Sequence, residues 1–283
     1  MDGQTYKERR PAPELADRLS CVWVQEVPSG AEAYAHRTVP NGGVELSCRI
    51  GELPVLVGPQ TGPTTEVLAP GTIVVGVRFR PGAAPSVLGM PATELVDLAV
   101  GVDAIWGDAA IALGERIAAA RTPHDAAAAL EREILARAIE AEQPDPVAAE
   151  AVLHLHPWRV SEVTSLTNAL YISERQLRRR CLAAVGLAPK ALHRMLRFQG
   201  FLALAGQREH PSAELALLAA EAGYADQPHL TRESLRLAGV TPLALLRESE
   251  LNCGPAHDHA ASYGPLLRER SGHAGAPRWR AAG

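Results

Sequence analysis

The chain shows two hydrophobic patterns in succession. From Cys21 to Phe79, apolar and polar residues alternate over short runs that end at Gly, Pro or Asn, which is typical of β-strands. The predicted strands are Cys21–Val27, Ala33–Pro40, Val44–Arg49, Pro54–Gly58, Thr64–Ala69 and Ile73–Phe79. Asn41-Gly42-Gly43 predicts a hairpin turn, because Asn and Gly tolerate positive φ. This part of the chain is therefore predicted to be β-rich.

The pattern becomes helical after residues 81–93, an uncharged stretch rich in Gly and Pro. The segments Asp108–Ala120 and Pro123–Glu142 are Ala-rich with charges at helical spacing. Asp145 is placed to cap a further helix with Pro146 at its first position. We therefore expect a β-rich sensor or assembly domain over 1–107, connecting helices over 108–144, an all-helical domain over 145–250 and a disordered tail over 251–283.

Residues 160–185 show the pattern of a helix-turn-helix unit. Apolar residues share one face of a first helix, namely Val163, Leu166 and Leu170. Tyr171 and Ile172 form the turn, and Ser173 begins the second helix with Gln176 placed for a capping box. The second helix buries Leu177 and exposes three cations: Arg175, Arg178 and Arg179. Because a guanidinium matches O6 and N7 of guanine, this face is typical of a helix that reads the DNA major groove.

The same pattern recurs about fifty residues later. Ser212 is predicted to cap one helix, Gly223 to form the turn and Asp226 to cap a second helix. That second helix exposes Gln227, His229 and Arg232. Between the two units, residues 189–206 form a predicted helix that spans about 27 Å. A spacer of that length places two recognition helices roughly one DNA turn, about 34 Å, apart.

Composition and charge indicate a globular protein in which an acidic sensor is attached to a mildly basic nucleic-acid-binding region. The chain has 283 residues, of which 47% are hydrophobic and 21% charged, as in globular proteins. Residues 1–157 carry a net charge of −9, whereas residues 158–250 carry +3 and residues 251–283 carry +2. The N-terminus has no secretory signal, no apolar run is long enough to cross a membrane, and the four cysteines form no CxxC pair. We therefore expect a cytoplasmic protein.

The sequence contains little that indicates catalysis, metal binding or effector binding. No catalytic motif is present, and Glu45 and Glu66 have no partner at a defined spacing, so we expect no catalytic residue, no cofactor and no metal. Two pairs of histidines, 154/156 and 257/259, lack the further ligands that a metal site needs. Arg78 and Arg80 share one face of a predicted strand. They are candidates for holding an anionic effector, or they pair with acids of their own domain.

Residues 145–247 resemble the paired helix-turn-helix domain of the AraC/XylS family of transcription regulators. The similarity lies in ISERQLRRR, GLAPK, EAGYADQPHLTRE and LAGVTP, in that order and spacing. Residues 1–107 resemble the small β-rich domain that precedes such domains, in PNGGVEL, VGVRFRPGAA and IWG. The fold implied is α+β, with a cupin-like or half-barrel β-rich domain, then helices, then an all-α double helix-turn-helix domain.

The resemblance implies a sequence-specific DNA-binding regulator with double-stranded DNA as its partner. Base-reading positions fall on Arg175, Arg178, Arg179, Gln227, His229 and Arg232. A small-molecule effector, RNA polymerase and a second copy of the chain are further partners of such a regulator. No membrane partner is expected.

The sequence departs from the family pattern in its turn and its core. Tyr171 stands where the turn usually has Gly, and Cys181 and Ser234 stand where core aromatic residues are expected. Pro228 removes a backbone donor in a first helical turn. Two alternatives therefore stay open. One is a small-molecule-binding enzyme with a regulatory helical appendage, and the other is a degenerate regulator that acts through protein contacts.

Overall fold

The computed structural model describes residues 4–159, 163–252 and 257–273. Its strands are β1 (Thr5–Arg9), β2 (Leu19–Glu26), β3 (Tyr34–Thr38), β4 (Glu45–Arg49), β5 (Val55–Val57), β6 (Thr64–Leu68), β7 (Ile73–Phe79), β8 (Ala99–Gly101) and β9 (His257–Asp258). Its helices are α1 (Ala84–Leu88), α2 (Asp103–Trp106), α3 (Asp108–Ala118), α4 (Pro123–Glu140), α5 (Pro146–His154), α6 (Val163–Ala169), α7 (Glu174–Val185), α8 (Pro189–Ala205), α9 (Leu215–Glu221), α10 (Gln227–Ala238), α11 (Pro242–Asn252) and α12 (Ala260–His273). None of these described helices is long and apolar enough to cross a membrane.

The β-rich region contains two sheets. The larger has the strand order β8-β5-β4-β7-β2-β1-β9, in which β1 and β9 are parallel and the other pairs are antiparallel. The smaller pairs β3 with β6. All six predicted strands are present, and β1, β8 and β9 are additional to them. The predicted α+β fold class, β-rich first and helical afterwards, is confirmed.

The hairpin predicted at Asn41-Gly42-Gly43 is wrong. β3 pairs with β6, and β4 pairs with β5 and β7, so this turn carries the chain from one sheet to the other. Gly42 has φ 76°, and the Gly43 N–H donates to Asn41 Oδ1 at 2.8 Å. The local turn chemistry is as expected from Asn and Gly. The strand pairing differs from the predicted hairpin because β3 and β4 each pair with strands that are distant in the chain, which the local turn does not specify.

One face of the large sheet packs against helices, and the other faces the helical domain. Val75, Val77 and Phe79 of β7 are buried with residues of α3 and α4, among them Leu113 and Leu130. The alternate residues of β7 lie on the opposite face, because side chains along a strand alternate. That opposite face carries a second cluster of buried side chains, which includes Tyr6, Cys21, Trp23 and Val74.

The helical region forms its own core and receives the C-terminal segment. Buried residues of α5 to α11 include Leu177, Leu192, Phe198 and Phe201. The tail differs from the disordered segment that we expect from sequence, because residues 257–273 form β9 and α12. β9 pairs with β1, and α12 packs on α8, β1 and β2. These contacts are made with residues distant in the chain, so no local periodicity announces them.

Candidate DNA interface and interdomain cavity

The first helix-turn-helix unit consists of α6 and α7. Ser173 caps α7, since its Oγ accepts from the Gln176 N–H at 3.2 Å and Gln176 Oε1 accepts from the Ser173 N–H at 2.9 Å. The predicted capping box is confirmed. Leu177 and Cys181 are fully buried. The three predicted base-reading residues of this helix, Arg175, Arg178 and Arg179, are all exposed.

The neighbouring arginine has a different role. Arg180 is partly buried, and its Nη1 donates to Asp145 Oδ2 at 2.6 Å. Asp145 also caps α5, because its Oδ1 accepts from the N–H groups of Val147 and Ala148. Arg180 therefore holds α7 against α5. It also makes the Asp145–Pro146 helix start, which the sequence predicts, part of the contact between two helices.

The turn between α6 and α7 is strained. Tyr171 has φ 53°, in the left-handed region, and its side chain is 95% exposed. A non-glycine residue in this conformation costs about 1–2 kcal/mol. Because the Tyr171 ring is exposed, it buries little apolar surface that could offset this cost.

The second unit consists of α9 and α10. Asp226 caps α10, since its Oδ1 accepts from the His229 N–H at 2.6 Å, and Gly223 has φ 80° in the turn. Gln227 and Arg232 are exposed. His229 is half-buried, with its ring edge-on to the ring of Tyr224 at 5.2 Å between centroids. Of the six predicted base-reading residues, His229 alone packs in part against its own unit.

The predicted N-cap at Ser212 is wrong. Residues 211–214 form turns, and α9 begins at Leu215 after Glu214, which makes no side-chain cap hydrogen bond. Glu214 instead pairs with Arg208 at 3.5 Å. The helix is therefore shorter than the apolar pattern indicates.

Ser234 fills its core position by hydrogen bonding. Its side chain is fully buried, and its Oγ donates to the carbonyl oxygen of Val240 at 2.8 Å, just beyond the C-terminal Gly239. Leu235 is 49% exposed and does not replace the expected aromatic residue. Ser234 thus ties the end of α10 to the chain that enters α11.

The spacer between the two units is α8. At 1.5 Å per residue its 17 residues span about 25 Å. Arg194 of α8 pairs with Glu233 of α10 at 2.9 Å, which fixes the second unit to the spacer. Gly200 allows close packing of the chain before α6, because a Cβ atom there would lie 2.9 Å from the ring of Pro157.

Both units also contact the β-rich region. Arg37 of β3 pairs with Glu248 of α11 at 3.1 Å and donates from Nη1 to the Ala238 carbonyl oxygen at 3.1 Å. The C-terminal end of α7 lies against residues 92–96, so closely that a Cβ atom on Gly186 would lie 3.0 Å from the Ala92 carbonyl oxygen. The relative placement of the two units is thus held by the β-rich region as well as by α8.

A cavity of about 1170 Å³ lies between the open face of the large sheet and α8. Trp23 and Arg78 line it from the sheet, Leu196 and Leu202 from α8, and Tyr263 from the tail. The cavity therefore lies where the β-rich region, the spacer helix and the C-terminal segment meet.

Arg78, one of the two candidate effector-binding arginines, is already paired within this cavity wall. Its Nε donates to Glu45 Oε1 at 2.7 Å, its Nη1 to Glu8 Oε1 at 3.1 Å and its Nη2 to the Tyr6 hydroxyl at 3.3 Å. Burial opposes the charge on Arg78, but the two carboxylates hold its pKa above the ordinary value. Arg80 donates from Nε to the Ala16 carbonyl oxygen at 2.8 Å.

Glu8 is a buried carboxylate that stays ionised. Burial alone would raise its pKa, but His259, whose Nδ1 lies 3.7 Å from Glu8 Oε1, and the charge of Arg78 lower the pKa to about 2. Its Oε2 also accepts from the Ser262 N–H at 2.9 Å. His257 and His259, expected in a disordered tail, thus lie on the tail side of the cavity. Among the described residues, no group of three or more His, Cys, Asp or Glu side chains is arranged to hold a metal ion.

Two protein families match this chain. Residues 166–248 match a family described as a helix-turn-helix domain, and residues 7–101 match one described as a domain of unknown function, DUF6597. No curated protein matches the sequence.

The similar solved structures are distant. An apo single-residue variant of ToxT from Vibrio cholerae is 13% identical with a TM-score of 0.46, over 84% of this chain and 99% of its own. ToxT of the same organism bound to an unsaturated fatty acid is 12% identical with a TM-score of 0.42, over 86% of this chain and 94% of its own. Similarity at this level does not carry function from one protein to another.

The two helix pairs, each with a capped second helix, and the family match over 166–248 define a helix-turn-helix domain. This domain is of the AraC type, as the resemblance of residues 145–247 predicts. The matched helix-turn-helix family consists of regulators rather than enzymes.

Proposed function

We propose that this protein binds a specific DNA sequence by placing α7 and α10 in successive major grooves. The base-reading side chains are Arg175, Arg178, Arg179, Gln227, His229 and Arg232. The observation that supports this most is that two helices, each capped at its N-terminus, expose five of these six side chains on either side of the 17-residue spacer α8, while His229 is half-buried. Backbone N–H groups at the helix N-termini are suited to phosphate contacts.

Control by an effector is the second part of the proposal. Both units contact the β-rich sensor domain, residues 1–107, and the cavity lies between that domain and α8. A ligand that prefers one arrangement of these parts shifts the population of that arrangement. The connecting helices, residues 108–144, support the sheet from its other face. On the family resemblance alone, we further propose RNA polymerase and a second copy of the chain as partners, and a cytoplasmic location.

Selection of bound sites from a random duplex library tests the DNA-binding proposal. We expect an enriched motif with two half-sites about one helical turn apart. Arg179→Ala should weaken binding by about 1–3 kcal/mol and loosen one or two base positions. Arg132→Ala, which removes an exposed arginine from α4, is the matched control and should leave the motif unchanged.

A regulator that acts through protein contacts is the alternative, and the strained Tyr171 turn favours it. Absence of an enriched motif with folded protein would overturn the DNA-reading proposal and support this alternative. Equal effects of Arg179→Ala and Arg132→Ala would show that α7 contributes charge without reading bases.

A further inference from the structure

We propose that the interdomain cavity binds an organic cation, an amine or quaternary ammonium group on an apolar body. Such a ligand would be the effector of the control proposed above, and its regulatory role rests on that proposed function. An anionic effector, the role first considered for Arg78 and Arg80, does not match the charges that line the cavity.

Three charged side chains meet at the cavity wall, of which Glu8 is fully buried and Glu45 and Arg78 are 17% and 19% exposed. Glu8 and Glu45 are two carboxylates that share the single guanidinium of Arg78, at 3.1 and 2.7 Å. Their formal charges sum to −1. Glu45 lines the cavity, and its Oε1 is occupied by Arg78 and by the Asn41 side-chain amide at 3.0 Å. Within the described residues its Oε2 has no partner. An uncompensated negative charge at a largely buried site is costly, so a ligand cation at Glu45 Oε2 would complete the group.

The arginines that line the cavity already have partners, and besides Arg78 there are three of them among the described residues. Arg37 pairs with Glu248, Arg208 pairs with Glu221 at 2.9 Å, and Arg80 donates to the Ala16 carbonyl oxygen. Burial lowers the pKa of His36 and lowers that of His257 to about 4, so both are neutral at physiological pH. A carboxylate ligand would have to enter beside Glu8 and Glu45, where the guanidinium of Arg78 is already shared by these two carboxylates.

Aromatic rings supply the second part of the site. Three of the five tyrosines in the chain line the cavity, as Tyr6, Tyr34 and Tyr263, together with Trp23. Tyr6 lies 5.8 Å from Trp23 between ring centroids. Aromatic faces attract cations, most strongly when water is excluded. Apolar side chains also line the cavity, among them Val74, Leu196 and Leu202, which suits the hydrocarbon part of an amphipathic ligand.

The C-terminal segment completes the site. His259 stacks on Tyr6 at 4.8 Å and on Tyr263 at 5.4 Å, and the Ser262 N–H donates to Glu8. The tail thus holds both an aromatic wall and the buried carboxylate. A cavity formed by three parts of the chain suits a control site, since its ligand touches each part.

Calorimetric titration of the full chain with three probes of equal ring size tests the inference. The probes are naphthylmethylammonium, naphthoate and naphthyl methyl ketone, at pH 8 so that ordinary imidazoles are neutral. We expect the ammonium to bind at least about tenfold more tightly than the naphthoate. Glu45→Gln, which leaves Glu8 and Arg78 as a neutral pair, should remove that preference and leave ketone binding within about twofold.

Glu66→Gln is the control variant, because Glu66 also lines the cavity but is largely exposed and pairs with Arg49. It should keep the preference for the ammonium. Naphthoate binding as tightly as the ammonium, equal effects of the two variants or no binding of any probe would overturn the inference. These titrations contain no DNA, so their failure is distinct from failure of the site selection.

Discussion

Arg37 of β3 and Glu248 of α11 form an ion pair across the boundary between the two regions, with Nε 3.1 Å from Oε2. The side chains are 24% and 31% exposed, so water screens the pair only in part. Arg37 also donates to the Ala238 carbonyl oxygen at the end of α10. The guanidinium of Arg37 therefore joins both α10 and α11 to the β-rich region.

A double-mutant cycle measures this attachment. In urea unfolding, Arg37→Gln and Glu248→Gln should show a coupling energy of about 0.5–1 kcal/mol, because the pair is partly buried. Arg37→Gln should be the more destabilising single change, since it also removes the bond to Ala238. Additive effects of the two substitutions would show that the pair contributes nothing to stability.

Ser234→Phe should destabilise the helical region although an aromatic residue is expected at this position. The Ser234 side chain is fully buried and bonded to the Val240 carbonyl oxygen, so the larger ring overpacks the site at about 1–3 kcal/mol and removes a hydrogen bond. Thermal and urea unfolding report the loss. Leu235→Ala, at an exposed position, should change stability by less than about 0.5 kcal/mol. A more stable Ser234→Phe protein would mean that the site holds an unfilled core position.

Tyr171→Gly should stabilise the protein. Gly adopts φ 53° without the Cβ clash, so relief of the strain should exceed the entropy lost on folding and give a net gain of about 0.5 kcal/mol. Tyr171→Ala separates the two effects, because it removes the exposed ring and keeps the strain. The free energy of unfolding should rise for Gly and not for Ala. A gain with both variants would assign the effect to the ring.

Deletion of residues 254–283 should separate ligand binding from DNA binding. The described part of this segment packs on α8, β1 and β2, and it lines the cavity with Tyr263. We expect the naphthylmethylammonium titration to lose its signal while DNA affinity stays within about tenfold. Deletion of residues 274–283 alone should preserve ligand binding. Loss of DNA affinity beyond tenfold would show that the tail contacts DNA.

The sequence predicts what local chemistry determines. Ser173 with Gln176 and Asp226 before its helix each cap the helix that the pattern predicts, because a cap needs only residues three apart. The strand over residues 73–79 follows from alternation alone. Ser212 fails as a cap because its helix starts three residues later, after turns that apolar spacing does not reveal.

The cavity could not be predicted, because its residues come from distant parts of the chain. Glu8, Glu45 and Arg78 lie on β1, β4 and β7, which meet only because the sheet has the strand order β4-β7-β2-β1. His259 reaches Tyr6 only through the pairing of β9 with β1. The sequence offers one indication, the net charge of −9 over residues 1–157. Because this region has an excess of acids, we expect Arg78 to pair with an acidic residue of its own domain.

The parallel pairing of β9 with β1 has a consequence for synthesis of the protein. β1 occupies residues 5–9 and its partner residues 257–258, so nearly the whole chain leaves the ribosome before that edge is covered. At about 5–20 residues per second this leaves an unpaired strand edge for tens of seconds. An open edge is a template for pairing with another chain. Nascent copies on one messenger RNA therefore face a risk of edge-to-edge association that ends when the last segment docks.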